Sequence, residues 1–573
     1  MFSQRRNIIL IGFLIAGFFC IPFYSPSIFA GLDMTFHLSR IDGMLTAIRD
    51  LQFPIAIYPD KNYGFGYASP LFYCDLFLLP ATILYAMHIP IILVYKIYVF
   101  VIAWIGACTA LYAMNEYTEH SGICLFGALL FTFSSYHIND FFIRAALGEA
   151  LAFSILPLFM VYAKRYLVDG DRNPIPLALF FAALALSHLI TFALTAAVFA
   201  ILLILYCKDI FRRKQVFTFF KAVVIGASLA AFFLLPLLQQ MRSQRFLFSQ
   251  NRELWGEEIM FSYSNTLLSV VSDYLLLGHY DLELHHYFTG LVVVVSPIFF
   301  LFAKKKDGSH RFLAILTVIS VLLLVCTINV IPLYKVKLLQ SIQFTYRFNI
   351  LIATFLPFAL IYTIDQMTKK ARRIVSAILV IFTAANTAVI DYQLLTDEIQ
   401  ISNTASTYAL FNREFYENYN NYFNVSELSS GEYLPATHQI NYKYLSGSID
   451  LYDTTSRSVT YERTGTKSML TMDCETDGFA ALPVTWYLGY QAELLDNGTP
   501  QILPISQDEY TGRFVIPVYE GNHTYRVHYR GTTVQKLSLL ISLVSVMILL
   551  GYLVYKNARR DNPTDDEVSS DNI

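Results

Sequence analysis

Charge is what this chain lacks most. Of its 573 residues only 15% are Asp, Glu, Lys or Arg, while 55% are hydrophobic; soluble domains carry about 25% charge. With a mean hydropathy of +0.48, this excludes an ordinary soluble protein and reads as an integral membrane protein. Paired cysteine is lacking as well. Cys20, Cys74, Cys108, Cys124, Cys207 and Cys326 lie in or beside apolar stretches, where a thiol behaves as a small hydrophobe. Cys474 stands alone in the long polar region, so that region holds no internal disulfide, and no Cys/His spacing supports structural zinc. The net charge of −2, with basic residues only in short clusters, speaks against nucleic-acid binding. No glycine-rich phosphate loop and no internal repeat is present. The middles of the apolar stretches are nearly free of ionisable residues, whereas a transport path places some near the bilayer midplane.

What is present is a succession of apolar stretches. The first, 7–23, follows Arg5 and Arg6 and has no small-residue cleavage site, so it reads as a retained helix whose far end emerges on the outer face. Twelve such stretches precede a long polar region and a final one spans 537–555. The clusters Lys164/Arg165, Lys208/Arg212/Arg213/Lys214, Lys304/Lys305/Lys306, Lys369/Lys370/Arg372/Arg373 and Lys556/Arg559/Arg560 are assigned to the cytoplasm. That places 25–68, His188, 241–286, 332–348 and 391–536 outside. Twelve spans would put the polar region inside, so the charges point to a miscounted span, with 263–277 as one candidate. About 14 spans are expected.

The organisation follows. Residues 1–390 form a transmembrane domain with an outer loop at 25–68. Residues 391–536 form an extracytoplasmic β-rich, sandwich-like domain, since 457–465, 513–518 and 523–530 alternate as strands. Residues 537–555 form the last transmembrane helix and 556–573 a disordered cytoplasmic tail.

The unusual polar residues gather at the outer ends of the apolar stretches. Asp33 and His37, spaced i,i+4, share one face of a helix just past the first span; either they act chemically there, or Asp33 caps the helix and His37 and Arg40 are solvated. Arg144 and Glu149 lie in 139–150, as a phosphate-holding arginine with its neighbour or as a solvated interfacial pair. His188 interrupts an apolar stretch as a packing residue or a phosphate contact. Gln343 and Arg347 precede a span, where arginine either snorkels to headgroups or lines a phosphate site. The segment 58–73 interleaves Tyr67 and Tyr73 with glycines, an aromatic surface suited to sugar rings and equally to the membrane interface.

In chain order these residues form Asp-x-x-x-His after span one, Gly-Tyr-x-Ser-Pro-Leu-Phe-Tyr before span two, Arg-x-x-x-Gly-Glu, Ser-His, and Gln-Phe-x-x-Arg-Phe. This pattern resembles the YfhO-like bacterial membrane proteins within the GT-C superfamily of polytopic glycosyltransferases. The likeness extends to 431–436 and 482–498 in the outer region; one departure is Thr345-Tyr346, where the pattern has Pro-Trp. The resemblance implies an inverting glycosyltransferase in the bacterial cytoplasmic membrane. It would move a sugar from a polyprenyl-phosphate donor to an extracytoplasmic acceptor: a cell-envelope glycopolymer, a lipid or a protein. Asp33 would be the general base, with His37 supporting it or touching the phosphate. Arg144, Arg347 and His188 would stabilise the leaving phosphate, and Glu149, Gln343, Tyr67 and Tyr73 would line the substrate site. No cofactor and no metal ligand is predicted, and a divalent metal stays open. A lipid or polysaccharide transporter and a non-catalytic membrane scaffold are the alternatives.

Overall fold

The computed structural model describes residues 5–266, 289–396, 400–404, 431–437, 448–496 and 498–561. Most of them are helical, because a chain crossing hydrocarbon must satisfy its own backbone hydrogen bonds. Among the described residues seven helices are long and apolar enough to span: Ile91–Met114, Leu147–Asp169, Val216–Ser243, Gly308–Cys326, Thr345–Asp365, Lys369–Thr396 and Thr533–Asn557. The pair Ser121–Thr132 and Ser135–Ile143, bent by 48°, makes an eighth if counted as one broken span. Leu76–Ala86, Ile175–Ser187, Leu189–Leu205 and Leu291–Phe300 are apolar but shorter. This count falls short of the 14 spans expected from hydropathy. Stretches that look alike by composition divide into full spans and half-length helices, and only backbone breaks distinguish them. The candidate span 263–277 and the tail beyond Asp561 fall largely outside the described residues.

Helix Thr345–Asp365 is the axis of the bundle, with 94% of its most apolar window buried, whereas only 11% of that window is buried in the last helix. The basic clusters meet at one end. Lys164 pairs with Asp169 (2.8 Å), Arg213 donates to Val168 O (2.8 Å), Arg311 to Leu205 O (3.0 Å), and Gln366 Oε1 accepts from Lys304 N (2.8 Å).

At the other end stand two antiparallel sheets. One runs Asp450–Tyr452, Gly478–Thr485, Arg513–Val518, Ser506–Gln507; the other runs Ser456–Thr464, Lys467–Cys474, Gly521–Tyr529, Tyr490–Leu494, Gln501–Leu503. Their inward residues, among them Leu470, Met472, Leu482, Phe514, Ile516, Tyr525 and Val527, share one buried cluster with Ile57, Ala68, Leu71, Phe72 and Phe246. The segment carrying Ile57, Ala68, Leu71 and Phe72 is therefore part of the sheet domain's core. A further short ladder pairs Ser27–Phe29 with Gln400–Ser402.

Candidate functional site

Asp33 occupies the cap position of helix Met34–Arg49, but its side chain does not cap: its carboxylate makes no hydrogen bond to the described residues. It is half-buried. Backbone bonds fix it there. Leu32 N donates to Ile143 O (3.0 Å) and Asp33 N to Arg144 O (2.8 Å). The two segments approach so closely that a Cβ on Gly31 would meet Ala145 Cβ at 2.5 Å, and Ala145 itself takes φ +54°, a strained value of the kind found at functional sites. Burial pushes the Asp33 carboxyl above its ordinary range, against the pull of Arg144 and Arg347.

Beside Asp33 lies a buried ionic network. The bent pair of helices ends in a π-helical turn, Asn139–Ile143, which carries Asp140 and delivers Arg144. Arg144 Nη1 donates to Asp140 Oδ1 and to Glu149 Oε2, each at 2.9 Å. Glu149 also accepts from Tyr136 Oη (2.8 Å) and from Arg347 Nε (3.4 Å). Arg347 donates through Nη1 to Ile342 O (2.8 Å) and Gln343 Oε1 (2.6 Å). The guanidiniums lie over Tyr346 and Phe344 respectively. Arg144, Glu149 and Arg347 are all buried, so none of them is a solvated surface group and Arg347 does not snorkel. Among the described residues Arg144 uses only Nη1 and Arg347 only Nε and Nη1 in hydrogen bonds. Each keeps N–H donors for a ligand.

His37 is buried with both ring nitrogens faced by donors: Leu147 N at 3.1 Å from Nε2, and Arg40 Nη1 at 3.2 Å from Nδ1. Burial first, then Arg40, holds its ring far below the ordinary imidazole range. A neutral ring accepts at one nitrogen, so His37 joins the Asp33 helix to the Glu149 helix; it is neither a cation nor bonded to Asp33. Arg40, read from sequence as a solvated residue in one alternative, is the anchor of this wall. It pairs with Asp75 (2.6 Å), donates to Cys74 O (3.0 Å) and lies 4.0 Å above the Tyr73 ring; Tyr58 in turn donates to Asp75. The motif before span two thus continues to Asp75, a link hidden because 35 residues separate the partners. Tyr73 leans on Gly148, where a Cβ would fall 1.8 Å from its hydroxyl. That explains the glycine of Arg-x-x-x-Gly-Glu. His188 faces Tyr73 (6.3 Å) and caps helix Leu189–Leu205, accepting from Thr191 N. Tyr67 stands apart from the charges: its hydroxyl accepts from Tyr433 N (3.3 Å) and its ring packs with Phe65, Leu247 and Leu434.

An apolar groove of about 840 Å³ runs along this wall, lined by Met44, Leu71, Phe77, Leu186, Phe233 and Leu539 among others, with Cys74 and Asp75 at its polar margin. A small cavity lined by Arg40, Leu147 and Gly148 shares Cys74, Phe77 and Leu186 with this groove. Among the described residues no three His, Cys, Asp or Glu side chains form a metal-binding group.

Similar proteins were found. An uncharacterized protein of Lactococcus lactis subsp. cremoris (strain MG1363) is 28% identical over 232 residues, 39% of this chain and 38% of that protein, so well under two thirds of the relative's length is spanned. The structure of the arabinofuranosyltransferase AftD from Mycobacteria is similar at 13% identity with a TM-score of 0.47, covering 73% of this chain and 29% of AftD. A family model described as "6-pyruvoyl-tetrahydropterin synthase related domain; membrane protein" matches residues 69–395, which include Arg144, Glu149, His188 and Arg347. That is more than half of the chain, and the chain belongs to this family of membrane proteins.

Proposed function

We propose that the protein is an inverting glycosyltransferase of the GT-C type that uses a polyprenyl-phosphate-linked sugar, with Asp33 as its base. The observation that carries this reading is the Asp33 carboxylate, half-buried and without a hydrogen bond to the described residues, beside two guanidiniums with unused donors. In that arrangement Asp33 takes the proton of an acceptor hydroxyl as its oxygen attacks the anomeric carbon. The bond from that carbon to the phosphate oxygen breaks, and the leaving phosphate carries away the electron pair. Charge grows on the phosphate in the transition state, where Arg144 and Arg347 stabilise it. His37 acts through position, holding the Asp33 helix against Leu147. Tyr73 and His188 face each other beside the ionic network, and the apolar groove suits the lipid chain of the donor. The YfhO-like motif order supports the same reading. The active-site end, opposite the basic clusters, faces outside, and the acceptor is a glycopolymer, lipid or protein of the cell envelope.

The test compares glycopolymers from a deletion strain complemented with wild-type protein or with Asp33→Asn, read by mass spectrometry and NMR. Loss of one defined sugar in both the deletion and the variant is expected. A deletion that loses the sugar while Asp33→Asn restores it would overturn the catalytic assignment in favour of a transporter or scaffold.

A further inference from the structure

Helix Met34–Arg49 begins at Asp33 and ends at Asp50, its C-terminal cap. Its 16 residues make a rod about 24 Å long. The Asp33 end is held by the backbone of residues 143–147. The other end is gripped by the sheet domain: Asp50 Oδ2 accepts from Thr466 N and Thr466 Oγ1, both at 2.9 Å. Gly465, at φ +58°, passes so close that a Cβ there would lie 1.8 Å from Asp50 Oδ1. The same hairpin holds the outer loop, with Arg463 donating to Gly64 O, to Pro59 O (3.4 Å) and to Pro483 O (3.1 Å). Asn62 donates to Thr485 (3.1 Å), and Lys61, ion-paired with Asp42 at 2.5 Å, ties the loop to the middle of the helix. The helix is thus clamped at one end by the membrane bundle and at the other by the sheets.

We propose that Asp50 is a positioning residue for Asp33, and that the sheet domain, through Gly465 and Thr466, sets where the Asp33 carboxylate stands relative to Arg144 and Arg347. A helix is stiff along its axis, so a displacement at Asp50 arrives at Asp33. The outer domain is then a fixed clamp on the site, and a ligand that shifts its hairpin shifts the site. This rests on the reading of Asp33 as the working carboxylate, but its test does not require transfer activity.

The full-length protein in detergent is treated with a water-soluble carbodiimide and glycine ethyl ester, and labelling of each carboxyl is followed by peptide mass spectrometry. Asp50→Ala and Gly465→Ala are each expected to change the Asp33 labelling rate by about threefold or more, since carboxyl reactivity follows its local environment. Asp50→Asn, which keeps an acceptor oxygen, is expected to stay near wild type. His523→Gln, at the opposite end of the same sheet, is the control for general loosening and is expected to leave Asp33 unchanged. An unchanged Asp33 rate in Asp50→Ala, or an equal change in His523→Gln, would overturn the proposal. If Gly465→Ala does not fold, Asp50→Ala against Asp50→Asn still decides it. Transfer surviving Asp33→Asn would fell the catalytic reading alone, leaving the positioning link to stand or fall on labelling.

Discussion

Burial and two guanidiniums pull the Asp33 carboxyl in opposite directions, and burial prevails. As a base it must be ionised, so transfer should rise with pH through a midpoint above the ordinary carboxylate value of about 4, as a pH–rate profile on membranes would read. The sign for stability is opposite. A carboxyl whose pKa is raised on folding stabilises the folded chain at low pH, and that contribution is lost as pH rises through the elevated value. At neutral pH the ionised group is therefore a cost. Asp33→Asn should reduce transfer by about 10²–10⁴-fold while raising the melting temperature at neutral pH and not in acid, measured by thermal unfolding in detergent. A residue kept only for packing would show the reverse.

At the scale of elements, the site depends on three segments meeting: the turn at 139–144, the start of helix Leu147–Ile155 and the residues before Asn349. Glu149 joins them by accepting from Arg144, Arg347 and Tyr136. Removing one partner of a buried ionic group costs about 3–5 kcal/mol. Glu149→Gln, which leaves Arg144 and Arg347 without their shared anion, should thus lower abundance and thermal stability, unlike Asp33→Asn. Gly148→Ala drives a methyl into Tyr73; overpacking of this kind costs about 1–3 kcal/mol, and the strain falls on the wall that carries Arg40. Its expected signature is a lowered melting temperature together with reduced transfer. The sequence disclosed Arg144, Glu149 and Arg347 because charges beside apolar runs are conspicuous. It offered Arg144 and Glu149 as a solvated pair but did not disclose that the pair is buried or that Arg347 joins it, since Glu149 and Arg347 are 198 residues apart, nor that Arg40, Asp75 and Tyr58 form a second buried network beside them.

For the whole molecule, basic clusters gather at one end and the sheets, gripping the Asp33 helix, stand at the other. Cys207 is exposed at the basic end, and Tyr510 is 62% exposed on the sheet domain. A membrane-impermeant maleimide applied to intact cells should spare Cys207 and label Tyr510→Cys, and permeabilised cells should label both. The opposite pattern would invert the topology and place Asp33 and the sheets on the cytoplasmic side.

Composition alone determined that the chain lives in a membrane, because too few charges and too much apolar surface leave no soluble packing. Local pattern placed strands at 457–465, 513–518 and 523–530, which the structure has as Ser456–Thr464, Arg513–Val518 and Gly521–Tyr529, since alternation is written residue by residue. Only the tertiary structure decided how many apolar stretches are full spans, that His37 and Arg40 are buried, that Asp33 leaves its own helix uncapped, and that the segment from Ile57 to Phe72 belongs to the core of a domain formed about 400 residues later. Each of these depends on which distant side chains meet, and burial and ion pairing across such separations leave no period or spacing in the sequence.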